Sequence, residues 1–546
     1  MDKTVSNSGP FSALEATINI SCEEDLPQSV LQNIFHHDNF KTNQKEIIDS
    51  LLTNKDTLSV IPTGGGKSLC YWIPGVINAG VTVVITPLIA LMNDQVEKLK
   101  SYGIPVCHVT STMKPEERDS VFHELTYRIP KYKFFYVTPE FALSAQAVSC
   151  FQLMIENQSL ERFVVDEAHC VNTWGNSFRP AYKKLIELKQ FNRPIAAFTG
   201  TATQETQQHI VDGLGLNQPT IYQASCNRSN LSFSVMRKGE KHSKEDVVQY
   251  VHEHHPNDCG IVYCLSTKDT VELAYIFKSK GFSAVCYHGK IDFFEKAANA
   301  KLWLNGQAKI MCGTSAFGMG IDKPNVRFVI HNSIPRSLED YYKEAGRAGR
   351  DGKPSTCIIM FRFADRNQLT RTVLSNETQE VDHIKDSVDA VVSYCMSSTC
   401  RMKTIMEYFD DNSAVKCEKG CDNCTKPCVP LKEYTKEAII LCECMKGMQA
   451  IHPAITIRQL ALTFKGSKAK REVESKGFHN VAHYGAGQYL FKNDTDAITF
   501  VHHLILKGLL QEEVQLVGGR STIPYSTLGS KEKDLRNGQL QILLNL

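Results

Sequence analysis

The stretch Thr57-Leu-Ser-Val-Ile61-Pro-Thr-Gly-Gly-Gly-Lys67-Ser68-Leu-Cys-Tyr-Trp-Ile73 constrains the chain more than any other. An apolar run reads as a short strand, three glycines as a turn, and the run after Ser68 as the start of a helix. That context suits a loop whose backbone N–H groups face a polyphosphate, with the positive end of the helix behind them. Thr63, Gly64, Gly65 and Gly66 supply the loop, Lys67 reaches the outer phosphates and the Ser68 hydroxyl holds Mg²⁺. Ile61 stands where the common phosphate-loop pattern has its first glycine. A glycine-rich turn with a chance Gly-Lys-Ser is the bland alternative.

At 546 residues the chain is too long for one core, and several domains are expected. A formal net charge of +2 gives no global basic field, so any nucleic-acid surface must be a local groove. No apolar run reaches the length of a membrane span, and Met1 to Pro10 lacks the apolar core of a signal peptide. Most of the 19 cysteines are scattered through apolar runs, as Cys70, Cys264 and Cys312 are, which points to buried free thiols in a reducing compartment.

In chain order, residues 1–25 are polar and expected to be a mobile lead. A helix over Leu26 to Phe35 precedes Asn39-Phe40-Lys41-Thr-Asn-Gln44, where an amide that both donates and accepts could grip a purine edge, or merely begin an amphipathic helix. Beyond the phosphate loop, strands and helices alternate. Val81 to Ile85, Phe134 to Thr138, Phe163 to Val165 and Ile195 to Phe198 read as buried strands, each followed by a polar motif. Repeated βα units predict a parallel sheet with ligand sites at the carboxyl ends of its strands. Asp166-Glu167 stands at such an end, fit to hold Mg²⁺ through water and to orient or deprotonate an attacking water. A helix-starting cap is the alternative. After Cys226-Asn-Arg-Ser-Asn230 a second βα series begins, without its own phosphate loop. It ends in Gly346-Arg347-Ala-Gly349-Arg350-Asp-Gly352, where small residues let two arginines approach a phosphate. Loop and acids on one lobe, arginines on another, make the layout of a cleft ATPase.

These motifs resemble those of superfamily-2 helicases, specifically the RecQ family, over about residues 35 to 510. The resemblance rests on Thr63-Gly-Gly-Gly-Lys-Ser68, Ile85-Thr-Pro-Leu-Ile-Ala-Leu-Met-Asn-Asp-Gln95, Tyr136-Val-Thr-Pro-Glu140 and Asp166-Glu-Ala-His169. Ala316-Phe-Gly-Met-Gly-Ile-Asp-Lys-Pro324 and the glycine–arginine turn complete it. The chain looks most like the short members that stop after a winged helix. The resemblance implies an α/β fold of two RecA-like parallel-sheet lobes, then a helical zinc-binding module and a winged helix. It implies that Phe40, Lys41 and Gln44 hold adenine, and that Lys67, Ser68, Asp166 and Glu167 serve ATP and Mg²⁺. Asp322 would contact the ribose side, and Arg350, with Arg347 beside it, would be the arginine finger. Thr199, Thr201 and Thr203 would link hydrolysis to lobe movement. Trp174, Phe178 and Arg179 match an aromatic-rich loop that senses single-stranded DNA. The chain departs from the family at Lys41, where Arg is usual, at Thr173, Asn176 and Ser177, where Gln, His and Asp are usual, and at Lys343, where Gln is usual.

Cys400, Cys417, Cys421 and Cys424 have the spacing C-x16-C-x3-C-x2-C, suited to a closed structural Zn²⁺ site. Cys395 and Cys428 are nearby alternatives for one ligand, and the RecQ resemblance favours the first set. From Lys432 the pattern becomes helices over Lys436 to Met448, Thr456 to Phe464 and Asp496 to Leu506, with a hairpin around Gly518-Gly519. This predicts a winged helix, a duplex-binding module, with Lys465, Lys468, Lys470 and Arg471 meeting phosphates or else forming a solvated face. The hairpin tip carries no aromatic residue. The boundaries expected are 1–25 for the lead, 26–225 and 226–390 for the lobes, 391–429 for the zinc module and 430–546 for the winged helix and tail. The function expected is that of an ATP-driven 3′–5′ DNA helicase of the nucleus. Single-stranded and forked DNA, and proteins of DNA repair, are the expected partners, with a role in repair, recombination and replication. A nucleic-acid-binding protein whose ATP site only sets conformation, and an RNA-unwinding ATPase, are the rival readings.

Overall fold

The computed structural model of the chain describes residues 25–110, 113–171, 180–239, 243–318, 323–374, 381–413, 417, 420–427, 430–517 and 521–545. They form two compact units: Met1–Phe361 with Cys400–Asp422, and Arg362–Thr399 with Asn423–Leu546.

The first unit holds two parallel sheets. In the first lobe, strands β1 (Thr57–Val60), β2 (Val81–Ile85), β3 (Val106–His108), β4 (Phe134–Val137), β5 (Leu160–Val165), β6 (Ile195–Thr199) and β7 (Thr220–Gln223) lie in the order β3-β4-β2-β5-β6-β1-β7. Successive side chains of a strand point to opposite faces. Val83, Ile85, Phe135 and Val137 therefore enter one apolar cluster, and Val84, Phe134 and Tyr136 the other. Both faces are covered, which is why these strands read as continuous apolar runs instead of alternating ones. The helix α1 (Lys67–Ile77) follows β1 and α2 (Ile89–Ser101) follows β2.

The second lobe has β8 (Leu231–Arg237), β9 (Cys259–Tyr263), β10 (Ala284–Tyr287), β11 (Ile310–Gly313), β12 (Val326–His331) and β13 (Ser355–Phe361), in the order β10-β11-β9-β12-β13-β8. All strand pairs of both sheets are parallel. Helix α3 (Leu338–Ala345) leads into the glycine–arginine turn.

Helix α4 (Arg401–Tyr408) and the turn after it touch both lobes and the segment joining them. Tyr408 donates to Glu339 at 2.7 Å, and Gln223 donates to the Phe409 carbonyl at 2.8 Å. Asp410 accepts from the Gln204 amide at 3.2 Å, and Asp411 from the Cys226 amide and the Ser225 hydroxyl at 2.7 and 2.8 Å.

In the second unit, helices Ala364–Leu374 and Val381–Met396 are tied to the hairpin β15 (Leu510–Val517)–β16 (Ser521–Leu528). Arg366 bonds Asp389 at 2.5 Å and Glu512 at 2.8 Å, while Asn367 donates to Glu512 at 3.1 Å. The sheet of the second lobe ends at Phe361, and the two helices that follow it within the expected 226–390 span belong to this second unit. Helices Thr435–Ile451, Ile457–Lys465 and Asp494–Leu506 precede the hairpin, as the apolar spacing predicts. Thr456 and Gln459 cap the second of them reciprocally. A short pair, β14 (Lys432–Glu433) and β17 (Leu543–Leu544), closes the unit. The expected lead, residues 1–24 of it, and the hairpin tip Gly518-Gly519-Arg520 lie outside the described residues.

Gly260 in β9 lies under the ring of Phe328, where an added Cβ would fall 2.1 Å from Cζ, and its carbonyl accepts from the buried indole of Trp303 at 3.2 Å. Gly260→Ala is therefore expected to destabilise the second lobe by about 1–3 kcal/mol through overpacking, seen as a lower denaturant midpoint of the fluorescence transition.

Candidate active site

The loop after β1 is held before any nucleotide arrives. The Ile61 amide donates to Thr199 O at 2.9 Å and the Gly65 amide to Pro62 O at 2.8 Å. Gly64 and Gly66 take φ of +84° and +85°, which side chains rarely adopt. Gly66 caps α1. Gln44 Nε2 donates to Gly66 O at 3.1 Å while its carbonyl accepts from the Lys41 amide at 2.7 Å, and Lys41 Nζ donates to Gly64 O at 2.8 Å. Gln44 and Lys41 thus bind the loop itself. Phe40 packs against the apolar cluster of the first lobe.

Asp166 sits at the tip of β5 and is buried. Its Oδ2 accepts from Gln95 Nε2 at 3.2 Å, and its Oδ1 from the Glu167 amide at 2.9 Å. Gln95 is fixed in turn: its carbonyl accepts from Tyr71 at 2.8 Å and Tyr136 at 2.9 Å, so its amino group must face the acid. Burial pushes Asp166 upward against the pull of Lys67. Glu167 has φ +51°, a strained setting for a side-chain-bearing residue. Burial alone would raise its carboxyl, but Lys67, Lys343 and Arg347 outweigh that and hold it at about 2. Lys67 Nζ lies 3.6 Å from Glu167 Oε1.

His169 Nδ1 lies 3.0 Å from Thr199 Oγ1 and 3.3 Å from Glu167 Oε2. Burial first, then the charges of Lys343 and Lys67, press the imidazole down to about 3, so it is neutral and the Glu167 contact is no ion pair. Thr199 gives its own hydroxyl proton to Thr201 O at 3.0 Å, which leaves Nδ1–H of His169 as the donor to Thr199.

The second lobe forms the opposite wall. A cavity of about 740 Å³ is lined by Lys67, Ser68, Asp166, Glu167, Arg347 and Arg350, within the usual size of a ligand site. Arg350 packs beside the phosphate loop, its Cγ 3.8 Å from where a Cβ on Gly64 would stand. Arg347 lies against the backbone of Gly318, and Lys343 lines the same cavity one helical turn earlier. Glu344, bonded to His331 at 2.7 Å, anchors α3 to β12. The donor set suits Mg²⁺: a hydroxyl and a buried carboxylate are hard oxygen ligands, and a divalent ion there would offset the burial of Asp166.

Three further residues shape this site without a role assigned from sequence. Gln95 and His169 fall within quoted motifs, and Gln95 is an amide on the face of α2 that buries Met92, Val96 and Leu99, a signal that was available. Arg228 bonds Thr63 O at 3.1 Å and Gly349 O at 2.8 Å. Asp322, Trp174, Phe178 and Arg179 lie outside the described residues, as do Thr173, Asn176 and Ser177. Lys468, Lys470 and Arg471 are exposed, while Lys465 pairs with Asp494 at 2.7 Å.

The thiol sulfurs of Cys400, Cys417, Cys421 and Cys424 all lie within 4.8 Å of one another. Tetrahedral Zn–S bonds of about 2.3 Å require sulfurs about 3.8 Å apart, so the four fit one ion. The Arg401 amide points at Cys421 Sγ at 3.5 Å, and burial and the adjacent thiols of Cys400 and Cys421 push Cys417 upward, a strain that a cation relieves. Cys395 is not part of the group, and Cys428 lies outside the described residues. Arg401 pairs with Asp422 at 2.9 Å, and Cys421 bridges to Phe233 of β8, so the cluster is stitched to the sheet edge.

Two parallel-sheet lobes, with loop and acids on one and arginines on the other, define a two-lobe nucleotide-binding protein of the helicase class. The description of DEAD/DEAH box helicases matches residues 41–210 and that of the helicase conserved C-terminal domain residues 243–352. The RecQ zinc-binding family matches residues 363–425 and the RQC domain residues 430–546. The chain is 34% identical to ATP-dependent DNA helicase Q-like 2 of Arabidopsis thaliana, over 98% of this chain and 74% of that protein. It is 33% identical to the RecQ-like DNA helicase BLM of Xenopus laevis over 94% of this chain, but spans only 39% of that relative's length. The chain belongs to the RecQ helicase family. The DEAD-box helicase Mss116 bound to single-stranded RNA superposes with a TM-score of 0.52 at 17% identity, covering 68% of this chain and 84% of that one, a likeness of fold.

Purified protein is expected to carry one zinc per chain by elemental analysis, and Cys421→Ser to lose it and to melt at lower temperature. His169 folds below its ordinary value of 6.5, so the unfolded state takes up its proton first and stability falls as pH drops from about 6.5 towards 3. His169→Gln is expected to flatten the decline of melting temperature between about pH 7 and pH 5.

Proposed function

We propose that this chain is an ATP-driven motor that moves 3′ to 5′ along single-stranded DNA and unwinds forked or duplex DNA. The observation that carries the reading is the shared cavity: Lys67, Asp166 and Glu167 on one wall, Arg347 and Arg350 on the other. Such a site works only when the lobes face each other, so turnover and lobe movement are linked.

In this reading the loop amides and Lys67 bind the phosphates, with Phe40, Lys41 and Gln44 at the adenine side and Asp322 at the ribose. Mg²⁺ at Ser68 and Asp166 supplies positive charge to the phosphate oxygens. Glu167, ionised at any working pH, orients the attacking water and accepts its proton. Arg350, supported by Arg347, neutralises charge that develops at the terminal phosphate. The relay from Glu167 through His169 to Thr199 and Thr201 carries the state of the site to the end of β6. Trp174, Phe178 and Arg179 stack on bases and contact the strand, and stacking tolerates any sequence. Lys468, Lys470 and Arg471 meet duplex phosphates. The relatives are named DNA helicases, which supports DNA as the substrate, and in this reading the chain works in the nucleus, in DNA repair and recombination.

The test is ATP turnover with and without single-stranded DNA or RNA, and unwinding of forked DNA. DNA is expected to stimulate more than RNA. Lys67→Ala is expected to lower kcat by at least about 100-fold and to abolish unwinding. Equal unwinding by that variant and the parent sinks the reading.

A further inference from the structure

Arg228 belongs to the segment that crosses from β7 to β8, and it bonds both walls of the cleft. Its Nη1 donates to Thr63 O of the phosphate loop at 3.1 Å. Its Nη2 donates to Ala348 O at 3.2 Å and to Gly349 O at 2.8 Å, in the turn that ends at Arg350. Its Nε donates to Asn230 Oδ1 at 3.3 Å. Asn230 holds the same turn from the other side, donating to Gly349 O at 2.8 Å and Lys353 O at 3.1 Å, while its carbonyl accepts from the Ser355 amide at 2.9 Å. Gly349 has φ +56°, and a Cβ there would stand 2.5 Å from Asn230 Nδ2.

Two functions separate here. Asn230, the Gly349 amide on Val326 O at 2.9 Å and Arg327 on Asp351 at 2.6 Å pin the turn to the second lobe. The Arg228 bond to Thr63 adds something a local anchor does not need, a link to the opposite lobe. A guanidinium is suited to it: its donors lie in one rigid plane and point in diverging directions, so a displacement of one acceptor is passed to the others. A lysine ammonium on a flexible stem has no such geometry. Arg350 lines the cavity and Arg228 is not among its lining residues, so Arg228 acts through Arg350.

We propose that Arg228 is a positioning residue for ATP turnover, holding the Arg350 turn in register with the phosphate loop so that a shift of the loop on nucleotide binding moves the arginine with it. The inference rests on the ATPase reading above and adds to it a mechanical route between the lobes.

The test uses the full chain, with Arg228→Ala and Arg228→Lys beside the parent and Arg350→Ala. Each substitution at 228 is expected to lower the kcat of DNA-stimulated hydrolysis about tenfold to a hundredfold, as misplacement of a catalytic group does, with nucleotide affinity changed less than about threefold. The double variant Arg228→Ala/Arg350→Ala is expected to be no slower than Arg350→Ala alone, because one residue works through the other. Hydrogen exchange with a non-hydrolysable ATP analogue gives a readout independent of turnover. In the parent the analogue should protect both residues 63–68 and residues 346–353; in the variants only 63–68. Protection of both segments in Arg228→Ala, kcat within about twofold of the parent, or multiplicative losses in the double variant would overturn the proposal. No protection of 63–68 in the parent would instead remove the ATP-binding reading and this inference with it.

Discussion

A carboxylate buried at the end of a hydrophobic strand is the constraint the first lobe is built around. Left alone, Asp166 would be costly to desolvate. The fold answers with fixed dipoles. Gln95 donates to one oxygen and the next peptide N–H to the other. Tyr71 and Tyr136 occupy the Gln95 carbonyl, and the Trp72 indole donates to Tyr136 at 2.9 Å. Tyr71 and Trp72 lie on α1, the helix that begins at Lys67, so one polar network spans the phosphate loop's helix, α2 and strand β4 and ends on the acid. Such a network must be complete to be tolerated, and that completeness fixes where the acid points.

The second lobe supplies what the first lacks. Glu167 carries a negative charge in a strained backbone setting, and the cations that hold it ionised come from both walls: Lys67 from one, Lys343 and Arg347 from the other. The field at the reacting position is therefore a joint product of the lobes, strongest when they face each other. Lys343 adds positive charge to this site.

Much of this was legible in the sequence. The strands announced themselves as apolar runs because both sheet faces are buried, and Asp166 and the glycine loop stood at strand ends where parallel sheets place ligands. The cysteine spacing gave four thiols that do come together. What sequence could not show was reach across the chain. Arg228 reads as one cation in a polar crossing segment; only the fold brings Thr63 and Gly349 to its two ends. Gln44 reads as a grip for a purine edge, and only the fold adds its bond to the phosphate loop. The helices after Phe361 look like a continuation of the second lobe because helical periodicity does not say what a helix packs on; Arg366 and its partners decide that.

The turn at Phe409 to Asp411 grips the Ser225–Cys226 crossing and both lobes, yet the chain reaches it only after leaving the first unit at Phe361 and running through two helices of the other. The two-lobe unit is thus not a continuous block of sequence. During synthesis its lobes can collapse as they emerge, but the joint between them is completed only when Cys400–Asp422 follows, after residues that belong elsewhere. Cutting the chain at the end of the second sheet would leave both halves of the cleft intact and the axis between them unsecured.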